Sequence, residues 1–127
     1  MSHPRAFRFS ERELHPGCRE IRVEGELDLA VAEQLEEAFA RAGAECEQLL
    51  ISLEDCEFID STGIAAIVHA HRQLAEKGGQ VAVFAPSDPV LRILSVTGLT
   101  SNGLVFEDVE EALSHMRSAG EKSAEGA

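Results

Sequence analysis

Hydrophobic and polar residues alternate along Cys18-Arg-Glu-Ile-Arg-Val-Glu-Gly-Glu-Leu27, with Ile21, Val23, Gly25 and Leu27 on one side. A period of two predicts a half-buried strand. Residues 7–14 read as a partner strand, because His15-Pro16-Gly17 is a turn signal between the two. After Asp28, a good helix N-cap, the spacing lengthens. Val31, Leu35, Ala38, Phe39 and Ala42 fall on one helical face, with Glu33, Glu36 and Glu37 elsewhere. Gly43 is the expected stop. The apolar run at 48–53 predicts a buried strand, and Ile64, Ile67, Val68, His71, Leu74 and Ala75 then repeat with helical period. That helix should start near Ser61 or Thr62 and end at Gly78-Gly79. Gln80–Ala85 predicts a strand, Val90, Leu91, Ile93, Leu94 and Val96 a shorter helix ended by Gly98, and 104–106 a last short strand. Val109, Ala112, Leu113 and Met116 mark a final helix.

The predicted order is β-β-α-β-α-β-α-β-α. Strands alternating with helices require crossover connections. The fold class expected is therefore α/β: one domain over 1–117, with a mixed, mostly parallel sheet of four to five strands and about four helices. The small, polar residues 118–127 are expected to form a flexible tail. Thr100-Ser-Asn-Gly103 looks irregular and blurs the start of the last strand.

Charge narrows the function. A net charge of −12 argues against general affinity for nucleic acid or anionic membranes. The absence of Trp and Tyr, with only six Phe, argues against a base-stacking surface or a sugar-binding platform. No run reaches the roughly 18 apolar residues of a membrane-spanning helix. The opening Met1-Ser-His-Pro-Arg-Ala-Phe has no long apolar core of a secretory signal. Cys18, Cys46 and Cys56 are widely spaced and form no CxxC pair. They read as reduced cysteines of a cytoplasmic protein, one of them a candidate reactive thiol.

Few constellations could carry chemistry. Ser61 is preceded by Ile59-Asp60 and not by the G-x-S-x-G elbow of a serine hydrolase. Asp60-Ser61-Thr62-Gly63 is also not the Asp-Thr/Ser-Gly of an aspartic protease. His69 and His71 stand two apart on a predicted helix and point in different directions, and His115 is remote. There is no P-loop and no G-x-G-x-x-G, so neither metal nor cofactor is expected. What remains is Asp60-Ser61-Thr62-Gly63, where a strand gives way to a helix. It can be simple capping, since Asp, Ser and Thr all cap helices. It can also present a hydroxyl beside free backbone N–H groups at the positive end of a helix dipole.

Three segments separate these readings: Gly25-Glu26-Leu27-Asp28, Ile59-Asp60-Ser61-Thr62-Gly63-Ile64, and Val90-Leu-Arg-Ile-Leu-Ser-Val-Thr-Gly-Leu99 followed by Val109-Glu-Glu-Ala-Leu113. In that order they resemble the STAS domain, and within it the bacterial anti-sigma factor antagonists, over roughly residues 7–117. Ala65 stands where many members have a second glycine. The resemblance implies a non-enzymatic regulator whose partner is both anti-sigma factor and serine protein kinase. Carried over, Ser61 is the phosphorylated residue and a PP2C-type phosphatase reverses the modification. Asp28, Asp60, Thr62, Gly63 and Ile64 are the implied partner-binding residues. From the residues alone, Ser61 and Thr62 are equally good acceptors. Alternative roles for such a domain are a regulatory or scaffold module of a stress-signalling complex, or a soluble component of a transport system.

Overall fold

The computed structural model describes residues 7–99 and 104–125, with side chains described up to Arg117. The Thr100–Gly103 segment flagged above lies outside the described residues. The elements are β1 (Arg8–His15), β2 (Cys18–Leu27), α1 (Leu29–Ala44), β3 (Gln48–Ile59), α2 (Ser61–Glu76), β4 (Gln80–Phe84), α3 (Asp88–Val96), β5 (Val105–Phe106) and α4 (Val109–Glu125). They build the expected α/β fold, with a five-stranded sheet in the order β1-β2-β3-β4-β5. β1 is antiparallel to β2, and the remaining neighbours are parallel.

The order of the strands decides where the helices go. Each crossover steps to the adjacent strand in the same direction. Right-handed connections of that kind stack α1, α2 and α3 on one face. There Leu35, Phe39, Ile67, Leu74, Val90 and Leu94 pack on Ile21, Val23, Leu49, Ile51 and Val83. Only α4, after the last strand, folds back to the other face. Its Ala112 and Met116 pack on Cys18, Leu50, Ala82, Phe84 and Phe106. The rest of that second face, over β1, β2 and the far half of β3, carries ions instead of a helix. Arg12 pairs with Glu20 at 2.8 Å. Arg22 lies 3.3 Å from Glu54 and 2.9 Å from Asp55. The Arg22 Nε–H is not aimed at that Asp55 oxygen, so the contact is ionic and not a hydrogen bond. Such half-exposed pairs contribute about 0–1 kcal/mol each. They keep the face soluble more than they hold it together.

Four sequence expectations need correction. β3 does not stop at Leu53 but runs to Ile59. Its pairing with β2 shifts register between Arg22 and Glu24 and again between Gly25 and Glu26. Those irregularities break the apolar alternation through Glu54, Asp55 and Glu57 that would have marked a strand. Gly43 does not end α1, which continues to Ala44. It is buried where α1 meets α2, and a Cβ there would lie 2.6 Å from Leu74 Cδ1. The inward stripe of α2 is Gly63, Ala66, Ile67, Ala70 and Leu74, whereas His71 and Ala75 are exposed and Val68 is half-buried. The helical period is right but the stripe is rotated, because small residues line the closest approach and the larger ones flank it. The backbone of α4 stays helical to Glu125, past the boundary at 117 that composition suggests. Ala119, Glu121, Lys122 and Ala124 are good helix formers despite their tail-like polarity.

The cysteines are all free. Burial pushes the Cys18 and Cys56 thiols up to about 11, and it raises Cys46 as well. Raised thiol pKa values keep the thiolate fraction low, which works against the reactive thiol expected from composition.

Phe39 is 2% exposed and fills the space between α1 and the sheet. Phe39→Ala should destabilise the domain by about 3–5 kcal/mol, measured by urea unfolding, through lost burial and the cavity left behind.

Candidate partner-binding site at two helix N-termini

The parallel register aligns the ends of two strands. Leu27, the last residue of β2, pairs with Ile59, the last of β3. Each strand is followed by an aspartate in extended conformation that caps the next helix. Asp28 accepts from the Ala30 N–H at 3.0 Å. Asp60 accepts from the N–H groups of Thr62 at 2.9 Å and Gly63 at 3.2 Å, and from the Thr62 hydroxyl. The two caps are also tied to each other. The Asp60 N–H donates to the Leu27 carbonyl at 3.0 Å, and the Leu29 N–H lies near enough to the Asp60 carboxylate to help lower its pKa.

This lacing governs Asp60's ionisation. The Thr62 hydroxyl, with the three backbone N–H donors behind it, holds the Asp60 carboxyl below its ordinary 3.8. The group is half-buried and still reached by solvent, which screens the effect on stability. The sign is still definite. A carboxylate favoured in the folded state supports the fold above its unfolded value and stops doing so as pH falls through the lower, folded value.

Gly63 makes the approach possible. A Cβ there would lie 2.8 Å from Ile59 Cγ1 and 3.0 Å from both the Leu27 Cβ and its carbonyl oxygen. Backbone cannot yield as a side-chain tip can, so the first turn of α2 sits against the strand ends only without a side chain.

The four residues of the motif therefore have different situations. Asp60 and Gly63 are structural, and the half-buried Thr62 spends its hydroxyl on Asp60. Ser61 is the first residue of α2 and is exposed, and its hydroxyl has no partner among the described residues. Ile64, expected at the partner face, is half-buried and packs partly against the core. His69, exposed, lies 3.5 Å from Glu36 across the helix pair, a surface contact. Among the described residues no cluster of ligating side chains could hold a metal ion.

One site residue escaped the sequence reading. Leu29, the first residue of α1, is 75% exposed beside this lacing. The signal was present: it lies outside the stripe of Leu35, Ala38, Phe39 and Ala42, on the side of Glu33 and Glu36. A large apolar residue there has no core to fill. Leu29 and Ser61 both neighbour Asp60, one with its backbone N–H near the carboxylate and the other next in the chain.

The sequence pattern of the STAS domain matches residues 10–112. The chain belongs to the STAS domain family, among the anti-sigma factor antagonists. This STAS domain is 32% identical over 110 residues to the anti-sigma F factor antagonist of Paenibacillus polymyxa, covering 84% of this chain and 92% of that one. Its structure is similar to the crystal structure of an anti-sigma factor antagonist from Mycobacterium paratuberculosis, with a TM-score of 0.80, 26% identity, and 92% and 99% of the two chains covered. It shares its fold with the anti-sigma factor antagonist SpoIIAA in its unphosphorylated form, with a TM-score of 0.74, 24% identity, and 87% and 97% covered. Among the described residues of this STAS domain no helix is long and apolar enough to cross a membrane.

Two outcomes follow from the lacing. Gly63→Ala should destabilise the STAS domain by about 1–3 kcal/mol in urea unfolding, because the added methyl overpacks against backbone. Thr62→Ala should raise the Asp60 carboxyl toward its ordinary value in a carbon-13 carboxyl titration, since the hydroxyl is the largest of the influences lowering it. Its loss should also flatten the fall in stability below pH 3.8.

Proposed function

We propose that the chain switches between two binding states. Unphosphorylated, it binds an anti-sigma factor that is also a serine protein kinase, through the face formed by Asp28, Leu29, Asp60 and Ser61, and thereby frees the sigma factor. The bound kinase then transfers the γ-phosphoryl group of ATP to Ser61 Oγ. The P–O bond to ADP breaks as the new P–O bond forms, and the serine proton leaves through the kinase's base or solvent. A PP2C-type phosphatase hydrolyses the ester and restores the binding state. The chain itself is a substrate and a ligand in this scheme, not an enzyme.

The observation that carries this reading is the difference between the two adjacent hydroxyls. A kinase needs an acceptor that can enter its site without dismantling the substrate's fold. Ser61 is exposed and uncommitted, whereas Thr62 would have to give up its bond to Asp60. The relatives named above add the partner class, since the Paenibacillus polymyxa protein is named for antagonising an anti-sigma factor.

Phosphate adds about 1.5–2 negative charges at neutral pH. It would stand beside the ionised Asp60 on a chain already at −12. Burying that dianion in an interface next to carboxylates requires desolvation without compensation. A penalty of about 3 kcal/mol lowers affinity more than a hundredfold, which is enough for a switch.

Calorimetric titration against the cognate anti-sigma kinase, with phosphosite mapping by mass spectrometry, tests the scheme. Ser61→Ala should bind like the parent and accept no phosphate. Ser61→Glu should bind more weakly than the parent, yet better than the phosphoprotein, because it adds one charge and not nearly two. Thr62→Ala should still gain one phosphate. Leu29→Ala should weaken binding by about 1–2 kcal/mol, through apolar area no longer removed from water. Phosphate mapped to Thr62, or Ser61→Glu binding as tightly as the parent, would refute the proposal.

A further inference from the structure

A second recess opens at the same end of the sheet, on its β4–β5 side. Pro86 follows β4 and Glu107 follows β5, both at the carboxyl ends of parallel strands. Between them lies a cleft of about 470 Å³, lined by Pro86, Leu91, Val105, Phe106, Glu107 and Glu111. It wraps the tip of β5. Leu91 enters from the first half of α3, and Glu111 from the first turn of α4.

The lining is divided by chemistry. Leu91 is 39% exposed, one of few large apolar side chains left in water among the described residues. With Pro86, Val105 and Phe106 it makes an apolar floor. The rim is acidic, and neither Glu107 nor Glu111 has an ion-pair partner among the described residues. Glu111, in the first turn of α4, would favour that helix in any case. That accounts for Glu111 but for neither Glu107 nor the open apolar floor beneath them. The recess over the bare sheet face is similar in size, about 520 Å³, but differs in this respect. Arg8 stands opposite Glu24 across the β1–β2 pair there, and Glu54 and Asp55 are already engaged by Arg22.

We propose that the β5-tip cleft is a second docking site, for a protein segment carrying one large apolar side chain flanked by Lys or Arg. The apolar side chain is removed from water on Leu91 and Phe106. The flanking cations meet Glu107 and Glu111, whose charges are otherwise unanswered, and the chain's overall −12 steers such a segment inward. The site does not depend on Ser61, so it would hold a partner in both phosphorylation states.

Panning a random dodecapeptide library displayed on phage against the full chain tests this directly. Enriched sequences should share an aromatic or long aliphatic residue with Lys or Arg within a few positions. A synthetic peptide of that consensus should shift the amide resonances of Leu91, Val105, Phe106, Glu107 and Glu111. Its affinity should fall about tenfold or more for Glu107→Lys/Glu111→Lys, and likewise for Leu91→Asp, while Ser61→Glu leaves it unchanged. Leu91, Glu107 and Glu111 are all exposed, so the variants should fold. A consensus without basic residues, no enrichment at all, indifference to the charge reversal, or loss of binding in Ser61→Glu would each overturn the proposal. The last of these would place the peptides on the Ser61 face instead.

Discussion

The pairing of Leu27 with Ile59 at the ends of two parallel strands is the constraint on which the site depends. It brings the starts of α1 and α2 close enough for the Leu27 carbonyl to accept from the Asp60 N–H, and for the Leu29 N–H to act on the Asp60 carboxylate. Once those bonds form, the first turn of α2 can approach only if position 63 has no side chain. Asp60 is then fixed as cap, Thr62 is fixed as its hydroxyl donor, and Ser61 is left as the one residue of the turn with nothing to hold. The exposed serine is thus a consequence of how tightly its neighbours are committed.

The sheet's winding explains why the candidate face is where it is. With α1, α2 and α3 all on one side, the carboxyl ends of β2, β3 and β4 feed successive helix starts along a single edge. Helix N-termini therefore gather at that edge, each with backbone donors to satisfy. The opposite side receives only α4, and the strands beyond its reach turn to ion pairs such as Arg12–Glu20. Two kinds of surface result. One is an edge of successive helix starts with isolated apolar residues, Leu29 and Leu91. The other is a charged sheet face with its own internal neutralisation.

Much of this was legible in the sequence, and the failures have local causes. Alternation in 18–27 and the helical stripe of Leu35, Ala38, Phe39 and Ala42 gave strand and helix directly, because large residues do the packing there. The stripe of α2 was misjudged by a rotation, since Gly63, Ala66 and Ala70 are inward for closeness and not for bulk. Gly43 looked like a stop for the same reason: a glycine at a helix crossing and a glycine past a helix end read alike. The far half of β3 was invisible because its register shifts hide the period of two. At the site, Asp28 and Asp60 announced themselves as caps. The choice between Ser61 and Thr62 did not, because it depends on which hydroxyl turns toward Asp60. That is a matter of rotamer and not of residue type.

The same lacing determines what a phosphate on Ser61 could do. A phosphoserine at a helix start is ordinarily stabilised by the free N–H groups of the first turn. Here Asp60 already accepts from the amides of Thr62 and Gly63, and it does so as a carboxylate held ionised by the Thr62 hydroxyl. The incoming group finds those donors occupied by a negative charge. It has little to gain from the fold and nothing in the fold to break, so it stays in water beside Asp60. Its influence would then fall on whatever must dehydrate this edge, where the exposed Leu29 is an apolar group that a partner would bury. On the proposed scheme, a phosphate on Ser61 would leave the fold as it is and change only the free energy of covering this edge.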